Sequence, residues 1–361
     1  MTNVLKIILT FFRRERLWLK AFSEDIYTIK TDLRFSQRFF AYRKGFLPSI
    51  MSYSGINKKN HTQYLSSKDY QFYSYPNGLY NRLAEIKLNI PFLLKDYVEY
   101  VPEYYFFKDT YGFLPLENYS GNRQVRLSID SFLEILHEKK QLACKPCSSR
   151  WGNGFMKVEI KNNIYFINNQ IYPFTVFVTE ILALNDYIIT EYIVQHPYAQ
   201  AIYPISVNTI RLLCVWDELK KEFFLARAFQ RFGTNGSLVD NLKSGNGLAV
   251  FIDFETGEFT HKIITNTNKK GYRISNNRLH PDTGISLEGV SIPNWHFLKN
   301  KILEISNHIS FLKYVGYDIA LTEKGFKILE INSKVGLHTL QIHDPLFTDE
   351  RIKNCILTHK K

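Results

Sequence analysis

The chain has 361 residues, 45% of them hydrophobic and 22% charged, enough to bury a sizeable core and to divide into two or three lobes. Forty-six Lys and Arg against 34 Asp and Glu give a formal net charge of +12, which favours an anionic partner: nucleotide, acidic glycan, nucleic acid or anionic membrane. Four cysteines are too few for a disulfide framework, which fits a reducing cytoplasm, and no run approaches the ~20 apolar residues of a membrane span.

The first elements are expected to be helical. The stretch 4–12 is apolar and is followed by Arg13, Arg14 and Arg16, with no small-residue cleavage site behind it. Its apolar face is expected to dock onto the protein itself, and the alternative is a weak contact of residues 4–16 with an anionic membrane. Residues 1–100 read as mainly helical, broken at 52–60 and 75–81. A strand is expected over 103–107 and a helix over 128–140, the latter with a partial capping box at Ser128-Ile129-Asp130-Ser131. Short strands follow at 142–146, 155–160, 187–194, 209–216, 222–229 and 248–254, then a helix over 300–312. Residues 353–361 read as a frayed, basic tail.

The richest chemistry lies near the end. In 317–332 two apolar runs flank Glu323-Lys324-Gly325, a three-residue connection with a glycine suited to a bulged hairpin turn. With that loop, Thr322 pairs with Phe326, Asp318 falls opposite Glu330, and Asn332 shares their face. Opposed carboxylates roughly 5 Å apart repel each other and ask for a cation. Two acids and an amide form an all-oxygen set that suits Mg²⁺, with Mn²⁺ as the alternative. An ordinary surface hairpin with solvated acids is the plain alternative.

Three further stretches carry polar groups among apolar neighbours. Lys145 precedes a loop containing Ser148, Gly152 and Gly154 that joins two strands, where backbone N–H groups and an ammonium can meet an anion. Because the order is strand–loop–strand, it is neither a P-loop nor a Rossmann turn. Cys144-Lys145-Pro146-Cys147 has CxxC spacing without a second pair to complete a zinc tetrahedron. Glu191 sits in the apolar run 187–194, either at a solvated edge or beside an adenine cleft. Asn208 and Arg211 share a run of apolar residues, and a buried guanidinium there needs an acid such as Glu222 or a phosphate. Arg227, Arg231 and the stretches 239–241 and 245–247 read as a polar loop over a site.

Together these strings resemble the ATP-grasp superfamily, and more closely its sugar-transfer-associated branch. The likeness runs through Val101-Pro102-Glu103-Tyr104-Tyr105, Leu142-Ala143-Cys144-Lys145-Pro146, 187–197 with Glu191 and Gln195-His196-Pro197, and 203–211. It continues through Val239-Asp240-Asn241, His280-Pro281-Asp282-Thr283-Gly284, Pro293-Asn294-Trp295 and the final hairpin, roughly residues 100 to 345. The resemblance implies an α+β fold of two lobes clamping MgATP, with a mainly helical N-terminal region. The expected division is 1–100 helical, 101–193 nucleotide-binding lobe, 194–347 metal-binding lobe and 348–361 tail.

It also implies roles. Lys145, with Ser148, Gly152 and Gly154, would hold nucleotide phosphates, and Lys108 is the nearest candidate for a second phosphate lysine. Glu191, Tyr192 and Ile193 would hold adenine. Asp318, Glu330 and Asn332 would hold Mg²⁺, and Arg211 with Asn208 would act on the transferring phosphoryl group. Arg150-Trp151 departs from the small residues usual in the glycine loop. The implied activity is carboxylate–amine ligation through an acyl-phosphate, joining a carboxylated sugar to an amine or amino acid in capsule or other surface-polysaccharide synthesis. That chemistry places the chain in the cytoplasm or at the inner membrane face, beside the polysaccharide machinery and without nucleic acid. Phosphoryl transfer to a sugar or polyol is one alternative, and a nucleotide-regulated binder of an anionic polymer is another.

Overall fold

The computed structural model describes residues 3–72, 76–116, 126–148, 152–242, 247–267, 271–342 and 344–358. Arg150-Trp151 and Gly245-Asn246, singled out above, lie outside the described residues. Two seven-stranded antiparallel sheets organise the chain. The first runs, edge to edge, through Gly112–Pro115, Tyr104–Asp109, Tyr187–Glu191, Gln141–Pro146, Met156–Lys161, Ile164–Ile167 and Gln170–Tyr172. The second runs through Gly271–Ser275, Phe259–Thr267, Gly247–Ile252, Glu222–Gly233, Ile210–Asp217, Tyr314–Thr322 and Gly325–Asn332.

One face of the first sheet is covered by helices Ile129–Lys139 and Phe174–Leu182. Ser128 starts the former by accepting the Asp130 amide hydrogen at 3.2 Å, and Lys140 ends it in the left-handed conformation, φ 68°. Phe132 and Leu136, four residues apart on one side, are completely buried, which stabilises by about 1.5–3 kcal/mol each.

The inner strands Gly247–Ile252, Ile210–Asp217 and Tyr314–Thr322 of the second sheet are buried on both faces, so they read as near-continuous apolar runs rather than alternating ones. Ile210, Leu212 and Cys214 pack with Leu298, Ile302 and Ile305 of helix Trp295–His308, which begins five residues earlier than the 300–312 expected. Leu213, Val215 and Phe229 face the other way, toward Val335, Leu340, Ile352 and Cys355. The last two belong to helix Glu350–Thr358 and are fully buried, so 353–358, expected as part of a frayed tail, form an amphipathic helix closing this face, while 359–361 lie outside the described residues. Gly316 permits the closure, because a Cβ there would lie 2.3 Å from Val335 Cγ2.

The N-terminal region is helical, and its opening helix Asn3–Thr28 has two ends of different character. Trp18 and Phe22 are buried and pack with Tyr42 and Phe46. Ile8, Leu9, Phe11 and Phe12 are 44–65% exposed, contrary to the expectation that this apolar stretch docks on the protein. The apolar packing of the helix is made by its second half, while Glu15 pairs with Lys68. Among the described residues no helix is long and apolar enough to cross a membrane.

Candidate active site between the two sheets

The final hairpin brings its acids together, though by a different register from the one the sequence suggested. Thr322 pairs with Gly325, not Phe326, leaving a two-residue turn at Glu323-Lys324. Pairing then runs one residue out of step until Ile319 opposite Ile328, and a bulge at Leu329 restores Asp318 opposite Glu330. Gly325 has φ 138°, a conformation that favours glycine. A bulge inserts one residue into one strand and re-aims the next side chain. Here it places Glu330 beside Asp318 at the wall of a cavity of about 730 Å³.

That cavity is lined by both sheets and by the N-terminal helices. Lys145, Gly152, Glu191, Tyr192 and Ile193 line it from the first sheet, and Arg211, Arg231, Asp318, Glu330 and Asn332 from the second. Gly152, at φ 72°, comes so near the second sheet that a Cβ would lie 3.0 Å from Val239 Cγ1. The Glu191 carboxylate accepts the Glu103 amide hydrogen at 3.2 Å, which fixes the strand end where the chain passes from one sheet to the other.

Charge inside the cavity is arranged as cation–anion contacts. Arg211 stands directly opposite Asp318 on the neighbouring strand and donates to both its carboxylate oxygens, the Nη2 contact at 2.6 Å. Arg231 Nη2 lies 2.9 Å from Asp318 Oδ2, its Nε donates to Thr209 Oγ1 at 3.0 Å, and Asp240 is 3.5 Å away. Asp240 in turn accepts the Thr209 amide hydrogen at 2.7 Å. Burial pushes the Asp318 carboxyl pKa up, but the Arg211 and Arg231 guanidiniums outweigh it and hold it below the usual range. The acid that was to meet only a metal and a facing acid is thus bound by two arginines.

Glu330 has a different partner. Lys87 Nζ lies 2.9 Å from its carboxylate, and Lys87 is buried. The lysine comes from the short turn Lys87–Asn89 of the N-terminal region, held by its amide donating to Cys147 O at 3.1 Å and by Tyr104 Oη on its carbonyl at 3.2 Å. Lys145 stands nearby, and withdrawal from water together with repulsion from Lys87 lowers its pKa to about 8, against the pull of Glu330. Asn332 Nδ2 is buried without a hydrogen-bond partner, an unsatisfied amide beside two carboxylates.

Several expected site residues lie elsewhere. Lys108 is 2% exposed and its ammonium is held by the carbonyls of Asp109, Leu182 and Leu184 at 2.6, 3.0 and 2.9 Å, so Lys87 stands in the cavity where Lys108 was expected. Sequence reasoning missed Lys87 because the turn carrying it has no strand or glycine signal. Asn208 precedes its strand rather than sharing it with Arg211. Its amide bonds to Gln195, Tyr203 and Ser206, and its Oδ1 accepts the Gly233 amide hydrogen, which ties connections together outside the cavity. Ser148 and Gly154 do not line the cavity; a Cβ on Gly154 would press on Pro146 and Tyr187, both at 2.8 Å. Arg227 caps the carbonyls of Leu340 and Asp344, a structural role. The thiols of Cys144 and Cys147 are buried, with pKa pushed up to about 12 by burial.

Residues 113–354 match the family described as sugar-transfer associated ATP-grasp, and the chain belongs to that family. Its two-sheet α+β architecture with a helical N-terminal region is accordingly the ATP-grasp fold. No curated protein matches the chain. Among solved structures it is similar to the ATP-grasp ligase PsnB complexed with minimal precursor (13% identity, TM-score 0.41), covering 79% of this chain and 64% of that one. D-alanine--D-alanine ligase from Bacillus anthracis is another (9% identity, TM-score 0.39, 77% and 69% covered). Biotin carboxylase from Campylobacter jejuni is a third (10% identity, TM-score 0.43, 76% and 46% covered). The chain thus spans just under two thirds of PsnB and about half of the biotin carboxylase.

Proposed function

We propose that the cavity binds MgATP and a carboxylated sugar of the uronic-acid type and joins the sugar to an amine, in capsule or other surface-polysaccharide synthesis. The observation that carries this reading is the convergence of Lys87, Lys145, Arg211 and Arg231 with Asp318, Glu330 and Asn332 in one cavity between two sheets. These four cations, gathered with Asp318, Glu330, Asp240 and an amide, make a site for a polyanion with its counter-ion. Asp318, Glu330 and Asn332 fit Mg²⁺ by their all-oxygen chemistry, and when bound the ion would offset charge on phosphate oxygens. The segments 101–193 and 194–347 then act as the nucleotide lobe and the metal lobe, with adenine against Glu191, Tyr192 and Ile193. The family's sugar-transfer association supports a glycan substrate, as does an aromatic content of 15%.

The chemistry balances in two steps. A carboxylate oxygen of the sugar attacks the γ-phosphorus, the bond to ADP breaks, and an acyl-phosphate forms. The lone pair of the amine then attacks the acyl carbon, the bond to phosphate breaks, and inorganic phosphate leaves as the nitrogen loses a proton. Lys87 and Lys145 orient phosphate oxygens. Arg211 and Arg231 exchange part of their hold on Asp318 for the transferring group, supplying charge in a water-poor site. The test is incubation with MgATP, uronic acids and hydroxylamine, a small trap for acyl-phosphates. A hydroxamate with ADP and inorganic phosphate is expected. AMP with pyrophosphate, or phosphate retained on the sugar, would overturn the mechanism, the latter in favour of a sugar phosphotransferase.

Lys145 gives the nucleotide step a pH signature. Phosphate oxygens favour its ammonium form, while the free protein holds its pKa near 8 rather than 10.5. Between those values binding must take up a proton, so affinity falls as pH rises, by up to about tenfold per pH unit. Calorimetry of a non-hydrolysable ATP analogue in buffers of different ionisation heat should show the uptake. Lys145→Ala should abolish it and cost about 1.5–3 kcal/mol of affinity. Equal affinity at pH 7 and pH 9.5 would remove Lys145 from the phosphate site.

The exposed Ile8, Leu9, Phe11 and Phe12, with Arg13, Arg14 and Arg16 following, support a location in the cytoplasm with the opening helix resting on the inner membrane face. Vesicles with a third anionic lipid should sediment with the protein at low salt, and Phe11→Ser with Phe12→Ser should release it. Retention of that double variant would exclude the helix as the contact.

A further inference from the structure

The part of the cavity walled by the N-terminal helices has a different chemistry. Asp25, Ser49 and Tyr53 from the N-terminal helices and Tyr272 from the edge strand of the second sheet line it there. Asp25 is 8% exposed and accepts from the Ser49 amide at 2.9 Å and the Ser49 hydroxyl at 2.5 Å. Neither partner is charged, and among the described residues no Lys, Arg or His forms an ion pair with Asp25. Burial raises its pKa and the Ser49 bonds offset this in part, with no cation among the described residues contributing.

A carboxylate withdrawn from water without a cation is costly, and one lining a ligand cavity is a candidate for supplying its own counter-charge to a ligand. The Tyr53 and Tyr272 rings stand edge to face with centroids 5.7 Å apart, and Asp25 is close enough to raise the Tyr53 phenol pKa. A buried carboxylate beside aromatic rings suits an organic ammonium, by charge and by cation–π attraction. It suits neither a phosphate nor a second carboxylate. Asp25 lies beyond the family match, which begins at residue 113, so the helical region brings chemistry of its own to the site.

We infer that Asp25, Tyr53 and Tyr272 form the subsite for the amine substrate, bound as its ammonium at the helical end of the cavity. This rests on the ligase reading. The cavity is then bipolar, with the polyphosphate and the activated carboxylate at the cationic sheets and the amine approaching from the acidic wall.

The probe is ethanolamine against ethylene glycol, which replaces the ammonium by a hydroxyl. Each is titrated into the full chain saturated with a non-hydrolysable MgATP analogue, followed by ligand-observed NMR. Ethanolamine should bind at least tenfold more tightly than ethylene glycol, and Asp25→Asn should erase that preference. Nucleotide affinity should stay within twofold, which shows that the variant is folded; Tyr272→Leu, which leaves the Ser49–Asp25 contact in place, should weaken ethanolamine several-fold. Equal binding of the two probes, or an unchanged preference in Asp25→Asn, overturns the subsite. Hydroxylamine, small and uncharged at neutral pH, needs no ammonium subsite. Hydroxamate formation that survives in Asp25→Asn therefore leaves the ligase reading intact whatever the probes show, whereas its absence from the wild-type protein sinks that reading separately.

Discussion

Asp318→Asn is expected to destabilise the fold by about 3–5 kcal/mol, the range for removing one partner of a buried ion pair. From sequence, Asp318 and Glu330 repel each other, and neutralising either relieves strain. The structure reverses the sign for Asp318. Its carboxylate is 4% exposed, takes a forked contact from Arg211 and lies 2.9 Å from Arg231. An amide cannot balance two guanidiniums withdrawn from water, and Asp240, 3.5 Å from Arg231, compensates only one of them. The shift should appear as a lower denaturant midpoint with an unchanged slope. Adding Arg211→Met should recover part of the loss, because it removes the orphaned charge. Since the folded-state pKa of Asp318 is depressed, its contribution is present above the unfolded carboxylate pKa and fades as pH falls through the folded one. A midpoint equal to that of the wild type would mean that the arginines do not depend on this acid.

Glu330→Gln should behave in the opposite way, folding normally and losing turnover on the order of 10²–10³-fold, as when one preorganised group is taken from a charge-stabilising site. The Glu330 side chain is 28% exposed against 6% for that of Asp318, so water can reach the group left behind and the stability cost should be well below that of Asp318→Asn. If it holds the metal with Asn332, the variant should also bind Mn²⁺ in the presence of ADP at least tenfold more weakly, read by electron paramagnetic resonance without any turnover. Wild-type Mn²⁺ affinity would remove Glu330 from the metal site. The two acids face each other across one strand pair, yet losing one is expected to cost mainly stability and losing the other mainly ligand binding.

Much of this site was legible because it sits on regular strands. Two-residue periodicity and a short turn were enough to put Asp318, Glu330 and Asn332 at one cavity, and the strand carrying Lys145 brings it to the same cavity. The register was right at the acids through a turn one residue shorter than expected and a bulge at Leu329, which no propensity rule separates from the simpler hairpin. Lys87 and Lys108 mark the boundary more sharply. Both lie in, or close in sequence to, the strand Tyr104–Asp109; one faces Glu330 and the other is bound by three carbonyls, and only the packing of a turn against Cys147 decides between them. By itself the sequence determined which residue types and strand pairs could make a metal–nucleotide site, since local periodicity fixes the face on which a side chain emerges. Which cation meets which acid, and that the N-terminal helices wall the cavity with Asp25, depended on contacts between segments far apart in the chain, such as Lys87 with Glu330 and Leu65 with Gln341. Long-range packing carries no local signature, so only the tertiary structure could decide it.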